Sequence, residues 1–169
     1  MTVIQGKSIQ VGIADKGAEI QSIKGKDGLE YLWQGDPAFW ARRSPILFPT
    51  VGGLHEGRYT HKGRDYKMVN HGFAKERDFR LVSSGHDRAR FEFESDAESL
   101  AIYPFNFRLA ITYRVEDSIL EVGWEVANLG TEALPFSIGA HPAFRAPLLP
   151  NETREDYELI FEKPETLVR

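Results

Sequence analysis

Cysteine is absent from all 169 residues. The chain therefore has no disulfide framework, no thiolate nucleophile and no thiolate metal site. Long apolar runs are missing too, and no window approaches the length needed to cross a bilayer. The start Met1-Thr2-Val3-Ile4-Gln5-Gly6-Lys7 lacks the basic and hydrophobic regions of a secretion signal, so the expected location is the cytoplasm, without a membrane partner. Nor does one sign of charge dominate: 21 basic residues are scattered among 25 acidic ones, with a net charge of -4. Without a basic stripe, nucleic acid is not an expected partner. Helical spacing is scarce as well, and only Ala97 to Ala101 is expected to make one turn, before Pro104.

What remains is a β-rich pattern. With 41% hydrophobic and 12% aromatic residues the chain has material for a real core, and one domain over residues 1–169 is expected. Phe107, Leu109, Ile111, Tyr113 and Val115 alternate with Arg108, Thr112 and Arg114. After Glu116-Asp117-Ser118, Leu120, Val122, Trp124 and Val126 repeat the alternation, which predicts an antiparallel hairpin with one buried face. Ser8 to Ile13, Glu19 to Ile23, Phe79 to Ser83 and Arg90 to Glu94 read as further strands. Turn signals such as Lys26-Asp27-Gly28, Glu56-Gly57, Lys62-Gly63 and Asn128-Leu129-Gly130 recur at short intervals, as in a meandering sandwich or barrel. There is no internal repeat. Pro147 to Asp156 is polar and reads as a surface loop leading to a last strand, Tyr157 to Phe161.

Two segments set a single histidine among glycine and aromatic residues: Val69-Asn70-His71-Gly72-Phe73 and Phe136-Ser137-Ile138-Gly139-Ala140-His141-Pro142-Ala143-Phe144. Such a setting lets an imidazole approach a small ring-shaped ligand with apolar faces nearby for stacking, as in a carbohydrate site. Histidine titrates near neutrality and can donate or accept a proton there, which makes His71 and His141 acid or base candidates. The competing reading is a structural histidine whose ring bonds a nearby carbonyl. Pro142 holds His141 extended, and Gly139-Ala140 leave space beside it, which favours the functional reading there. His55, His61 and His86 sit in polar loops and read as solvated.

Other chemistries find no support. Neither His71 nor His141 has a partner at H-x-H or H-x-x-x-H spacing, so no metal is expected. Neither Ser44 nor Ser137 has a G-x-S-x-G setting. Gly52-Gly53 is not followed by a phosphate-cradling helix start and reads as a tight turn. From Asp36 to Pro49, aromatic residues accompany Arg42-Arg43, a fork able to clamp sugar hydroxyls or a phosphate. The alternative places Trp40 and Phe48 in the core and Arg42 on the surface.

Together with Tyr31-Leu32-Trp33-Gln34-Gly35-Asp36 and Arg43-Ser44-Pro45-Ile46-Leu47-Phe48-Pro49, the two histidine segments make the chain resemble the aldose 1-epimerase (galactose mutarotase) family, its LacX-like branch in particular. The resemblance runs over residues 1–169. It implies an all-β fold, an antiparallel β-sandwich of the supersandwich type with sugar bound in a groove on one sheet. It also implies that His141 protonates the sugar ring oxygen, that His71 hydrogen-bonds the sugar, and that a glutamate removes the anomeric proton without any cofactor. That glutamate lies in a late strand beyond the region matched, so the family domain is expected to be incomplete at the C-terminus. Glu152, Glu155, Glu158, Glu162 and Glu165 are not its counterparts. At Gly53 many relatives carry a sugar-binding arginine, for which Arg43 is the candidate substitute.

The expected ligand is an aldohexose or its phosphate, bound by Arg43, Asn70, Phe73, Trp40 and Phe144 around His71 and His141. A hexose-phosphate substrate would require Arg42 and Arg43 to converge on one point. A sugar-binding module without catalysis is the other reading. An incomplete sandwich also leaves sheet edges unpaired, so either pairing with a second copy or membership of a longer polypeptide is expected.

Overall fold

Alternating sequence is converted into antiparallel sheet almost everywhere. The computed structural model describes residues 1–163. Strands β1 (Thr2–Gln5), β2 (Ile9–Ile13) and β3 (Ile20–Gly25) form one three-stranded sheet in the order β1-β2-β3. The short β4 (Ile46–Leu47) follows, then the hairpin β5 (Arg58–His61) and β6 (Arg64–Lys67), closed at Lys62-Gly63. Strands β7 (Arg80–Ser84), β8 (Arg88–Glu94), β9 (Phe107–Glu116) and β10 (Ile119–Asn128) make a four-stranded sheet in the order β10-β9-β8-β7. β11 (Gly139–Ala140) pairs antiparallel with β4. The single α-helix among the described residues, α1 (Ala97–Ile102), starts at Asp96, whose side chain accepts from the Ser99 amide in a capping box.

The core sits where apolar faces of these sheets meet. Phe107, Leu109, Ile111 and Tyr113 on β9 are fully buried, as the alternation predicts. Phe91 and Phe93 on β8 and Ile4, Val11 and Ile13 from the first sheet join them. Inside this layer the Tyr113 hydroxyl donates to the Ala18 carbonyl at 2.7 Å, which ties β9 to the β2–β3 turn. Burial, with the Glu19 carboxylate nearby, holds that hydroxyl well above the ordinary tyrosine range.

Three expectations are corrected. Tyr157 to Phe161 is not a strand, and Leu159, Ile160 and Phe161 are exposed, because no strand among the described residues offers them a ladder. On β10, Val122 and Trp124 remain 36% and 39% exposed although they share the inward-facing alternation. With Ile9, Ile23, Tyr31, Leu120 and Phe144 they line an apolar groove of about 590 Å³. His61 is not simply solvated: its ring lies 4.8 Å from that of Phe105. Glu165 lies outside the described residues.

Candidate functional site

One extended segment brings the two histidines together. Residues 43–52 run between the two histidine motifs and bond to both. Along one edge, Ser137 N–H donates to Pro49 O, β11 pairs with β4, His141 N–H donates to Pro45 O at 3.1 Å, and Ala143 N–H donates to Arg43 O. Along the other edge, Phe48 O accepts from the amides of Phe73 and Ala74, and Phe48 bridges Gly72 in parallel. The local sequence permits this approach. Gly72 has φ of +66°, and a Cβ there would fall 2.2 Å from Phe48 O, so only glycine fits.

The start of the segment is held by charge. Glu19, 7% exposed, accepts from the amides of Arg43 and Ser44 at 3.0 and 2.9 Å. Glu30, 9% exposed, accepts from the amides of Ile23 and Leu32 and from the Ser22 hydroxyl. Both buried carboxylates are thus satisfied by donors that position backbone.

At the far end, His71 and Gly52 are locked together. His71 N–H donates to Gly52 O at 2.9 Å, and Gly52 N–H donates to His71 Nδ1 at 3.0 Å. With Nδ1 accepting, the neutral ring carries its proton on Nε2 and presents a donor there. The His141 ring lies 6.2 Å from that of His71, centroid to centroid, and the Trp40 ring stacks obliquely on His141 at 4.9 Å. Among the described residues the His141 imidazole has no hydrogen-bond partner. The row Trp40, His141, His71 therefore offers an aromatic wall and two imidazoles on the open side of the spine.

The other expected ligand residues divide. Asn70 is exposed beside His71, and its Oδ1 would stand 3.5 Å from a Cβ at Gly53. Phe73 is a correction: it is 3% exposed and packed against Phe48, Phe93, Tyr103 and Phe107, because the left-handed His71-Gly72 pair turns its side chain inward. Phe144 is another, since it lines the apolar groove with Ala140 and Pro142. Ala140, Pro142 and Phe144 line that groove in alternation past the end of β11, and His141 is not among its lining residues. The Arg43 guanidinium donates to Gln21 Oε1 and Gln34 O at 2.5 and 3.0 Å. Arg42 pairs instead with Glu76. The two arginines do not converge.

Sequence reasoning missed two contributors. Gly52 was expected only to turn the chain, and Lys75 stands two residues beyond the motif that drew attention to His71. Its Nζ donates to Asn70 O and Gly72 O at 2.8 and 2.6 Å.

This arrangement of spine and histidine motifs sits in a chain that matches the model of the aldose 1-epimerase family over residues 1–167. The chain belongs to the aldose 1-epimerase family. It is 36% identical to the chromosomal LacX protein of Lactococcus lactis subsp. lactis over 173 residues, covering 98% of this chain and 58% of that protein. The plasmid LacX protein of the same organism is 35% identical with the same coverage. A galactose mutarotase related enzyme from Lactobacillus acidophilus superposes with a TM-score of 0.90 at 36% identity, over 92% of this chain and 52% of that one. A galactose mutarotase-like protein from Lactobacillus casei does so with a TM-score of 0.84 at 38% identity, over 89% of this chain and 52% of that one. The fold is thus the galactose mutarotase-like all-β fold, and the chain spans little more than half the length of these relatives. No helix among the described residues is long and apolar enough to cross a membrane.

Proposed function

We propose that the site on the open side of residues 43–52 binds an aldohexose and contributes the acid half of anomer interconversion. The observation that carries this reading is the neighbouring pair of imidazoles, 6.2 Å apart between ring centroids, with the Trp40 ring tilted against His141 at 4.9 Å. In this reading, protonated His141 gives its proton to the sugar ring oxygen as the bond from that oxygen to the anomeric carbon breaks. The Nε2–H of His71 hydrogen-bonds the same oxygen. A base takes the anomeric hydroxyl proton, leaving an open-chain aldehyde that rotates and recloses as the other anomer when the protons return. Trp40 supplies an apolar face for the sugar.

The base is assigned to the portion of the family domain beyond the residues matched here. Glu19 and Glu30 are committed to backbone amides, and among the described residues no hydrogen bond or ion pair brings a carboxylate to either ring of the pair. That observation keeps a second reading in view, a sugar-binding half-site without turnover of its own. The phosphate version loses support from the divergence of Arg42 and Arg43. Pairing with a second copy through unpaired sheet edges, and action in the cytoplasm, belong to the same proposal.

Polarimetry on freshly dissolved α-D-glucose and α-D-galactose tests the reading, with His141→Ala as control. Acceleration that disappears in the variant supports mutarotation. Shifts of the His71 and His141 imidazole resonances on adding sugar, without acceleration, support the half-site. Absence of both acceleration and imidazole shifts would remove both readings.

A further inference from the structure

We propose that Lys75 is a positioning residue for His71: its ammonium bridges the carbonyls on either side of that histidine and thereby fixes the loop in which the imidazole presents Nε2–H toward the sugar site. The catalytic consequence rests on the function proposed above, but the bridge itself does not.

His71 and Gly72 adopt φ of +65° and +66° in succession. For a side chain as large as imidazole this is an uncommon backbone state, and it persists only where surrounding contacts over-determine it. Two such contacts come from Gly52, which bonds the His71 amide and ring. Gly72 N–H donates to Val69 O at 3.0 Å, and Lys75 supplies two more, from Nζ to Asn70 O at 2.8 Å and Gly72 O at 2.6 Å. A charged donor makes both bonds stronger than neutral ones. The carbonyls on both sides of His71 are thus tied to one atom.

Lys75 is itself held. It lies in the 3-10 turn Ala74–Glu76, and its main chain packs on Gly17. A Cβ at Gly17 would stand 3.1 Å from Lys75 O. Gly17 N–H donates to Arg77 O, and Phe79 N–H to Asp15 O, so the β2–β3 turn fixes the segment from which Lys75 reaches. Burial, helped by the neighbouring Arg42, lowers the ammonium's pKa, while Glu76 opposes this. The structure thus places a partly desolvated cation against two carbonyls rather than in solvent, where a surface lysine would sit.

The test is nitrogen-15 NMR of the imidazoles in the unliganded chain, with activity not required. In the wild type, His71 should show one neutral tautomer, with the proton on Nε2 and Nδ1 accepting. Lys75→Met keeps the stem and removes the donors; the His71 pattern should shift toward tautomer averaging, and amide exchange at Gly52 and His71 should rise at least about tenfold. Lys75→Gln reaches for only one carbonyl and should lie between the two, which keeps the proposal testable if the methionine variant does not fold. Arg42→Gln, in the same cluster but not touching the loop, should leave His71 unchanged. If a folded Lys75→Met or Lys75→Gln variant kept the wild-type tautomer and exchange rates, the assignment would be overturned. Should sugars then fail to perturb either imidazole, the functional reading falls while the Lys75 bridge stands.

Discussion

His71 and Gly52 are bonded to each other twice, main chain to main chain in one direction and main chain to imidazole Nδ1 in the other. A residue read from sequence as part of a tight turn is therefore what orients one of the two candidate catalytic rings. Because Gly52 donates through its backbone, no change of side chain there removes the bond directly, and the arrangement is best probed at the glycine on its far side.

Gly72→Ala should be strongly destabilising. The added methyl meets Phe48 O at 2.2 Å and Phe48 C at 2.4 Å, backbone that cannot rotate away, and φ is +66° besides. A loss of at least about 2 kcal/mol is expected in urea denaturation. A loss below about 0.5 kcal/mol would mean that the residue 43–52 spine and the His71 loop are not in contact as described.

Glu19 should prove structural. Replacing it with alanine strands the buried amides of Arg43 and Ser44 and should cost about 1–3 kcal/mol by chemical denaturation. Glu19→Gln keeps one acceptor oxygen for those amides and should leave any sugar response of the protein intact. Abolition of that response in a stably folded Gln variant would identify Glu19 as the missing base.

Trp40→Ala should weaken sugar binding without moving the fold. Loss of the stacking face is worth roughly 0.5–1.5 kcal/mol, or about two- to tenfold in affinity, measured by titrating sugar against the His141 resonance. Phe73→Leu, by contrast, should change stability and not affinity, because Phe73 belongs to the core.

Alkaline pH should unfold the protein through its buried phenols. Tyr59 is pushed up to about 12 by burial and by Tyr66. Tyr103 and Tyr113 are raised further, chiefly by burial. Each raised group favours the folded state while protonated. Their stabilisation is complete below the ordinary tyrosine value of 10.0 and is lost as pH climbs from there through about 12 and beyond. Phenolate absorbance should show these three titrating late and together with unfolding; independent titration of all six tyrosines near 10 would contradict the burial.

The sequence by itself determined the secondary structure class and much of the core. Period-two alternation marked β9 and β8, and Phe107, Leu109, Ile111, Tyr113 and Phe91 are buried as it requires. It also singled out both histidines, because glycine beside imidazole is a local signal. Strands such as β1, β4 and β11 escaped notice, since segments of two to four residues carry too few alternations to register. The tertiary structure decided which side chains share a site. Phe73 and Phe144 each close one of the two histidine motifs, yet one turns into the core and the other crosses to the apolar groove. Trp40, far from His141 in sequence, comes to lie 4.9 Å from its ring, and Lys75, outside the motif of His71, reaches the carbonyls of Asn70 and Gly72. The reason is that residues 43–52 lie between both motifs with a register set by long-range hydrogen bonds, and no local propensity encodes that pairing.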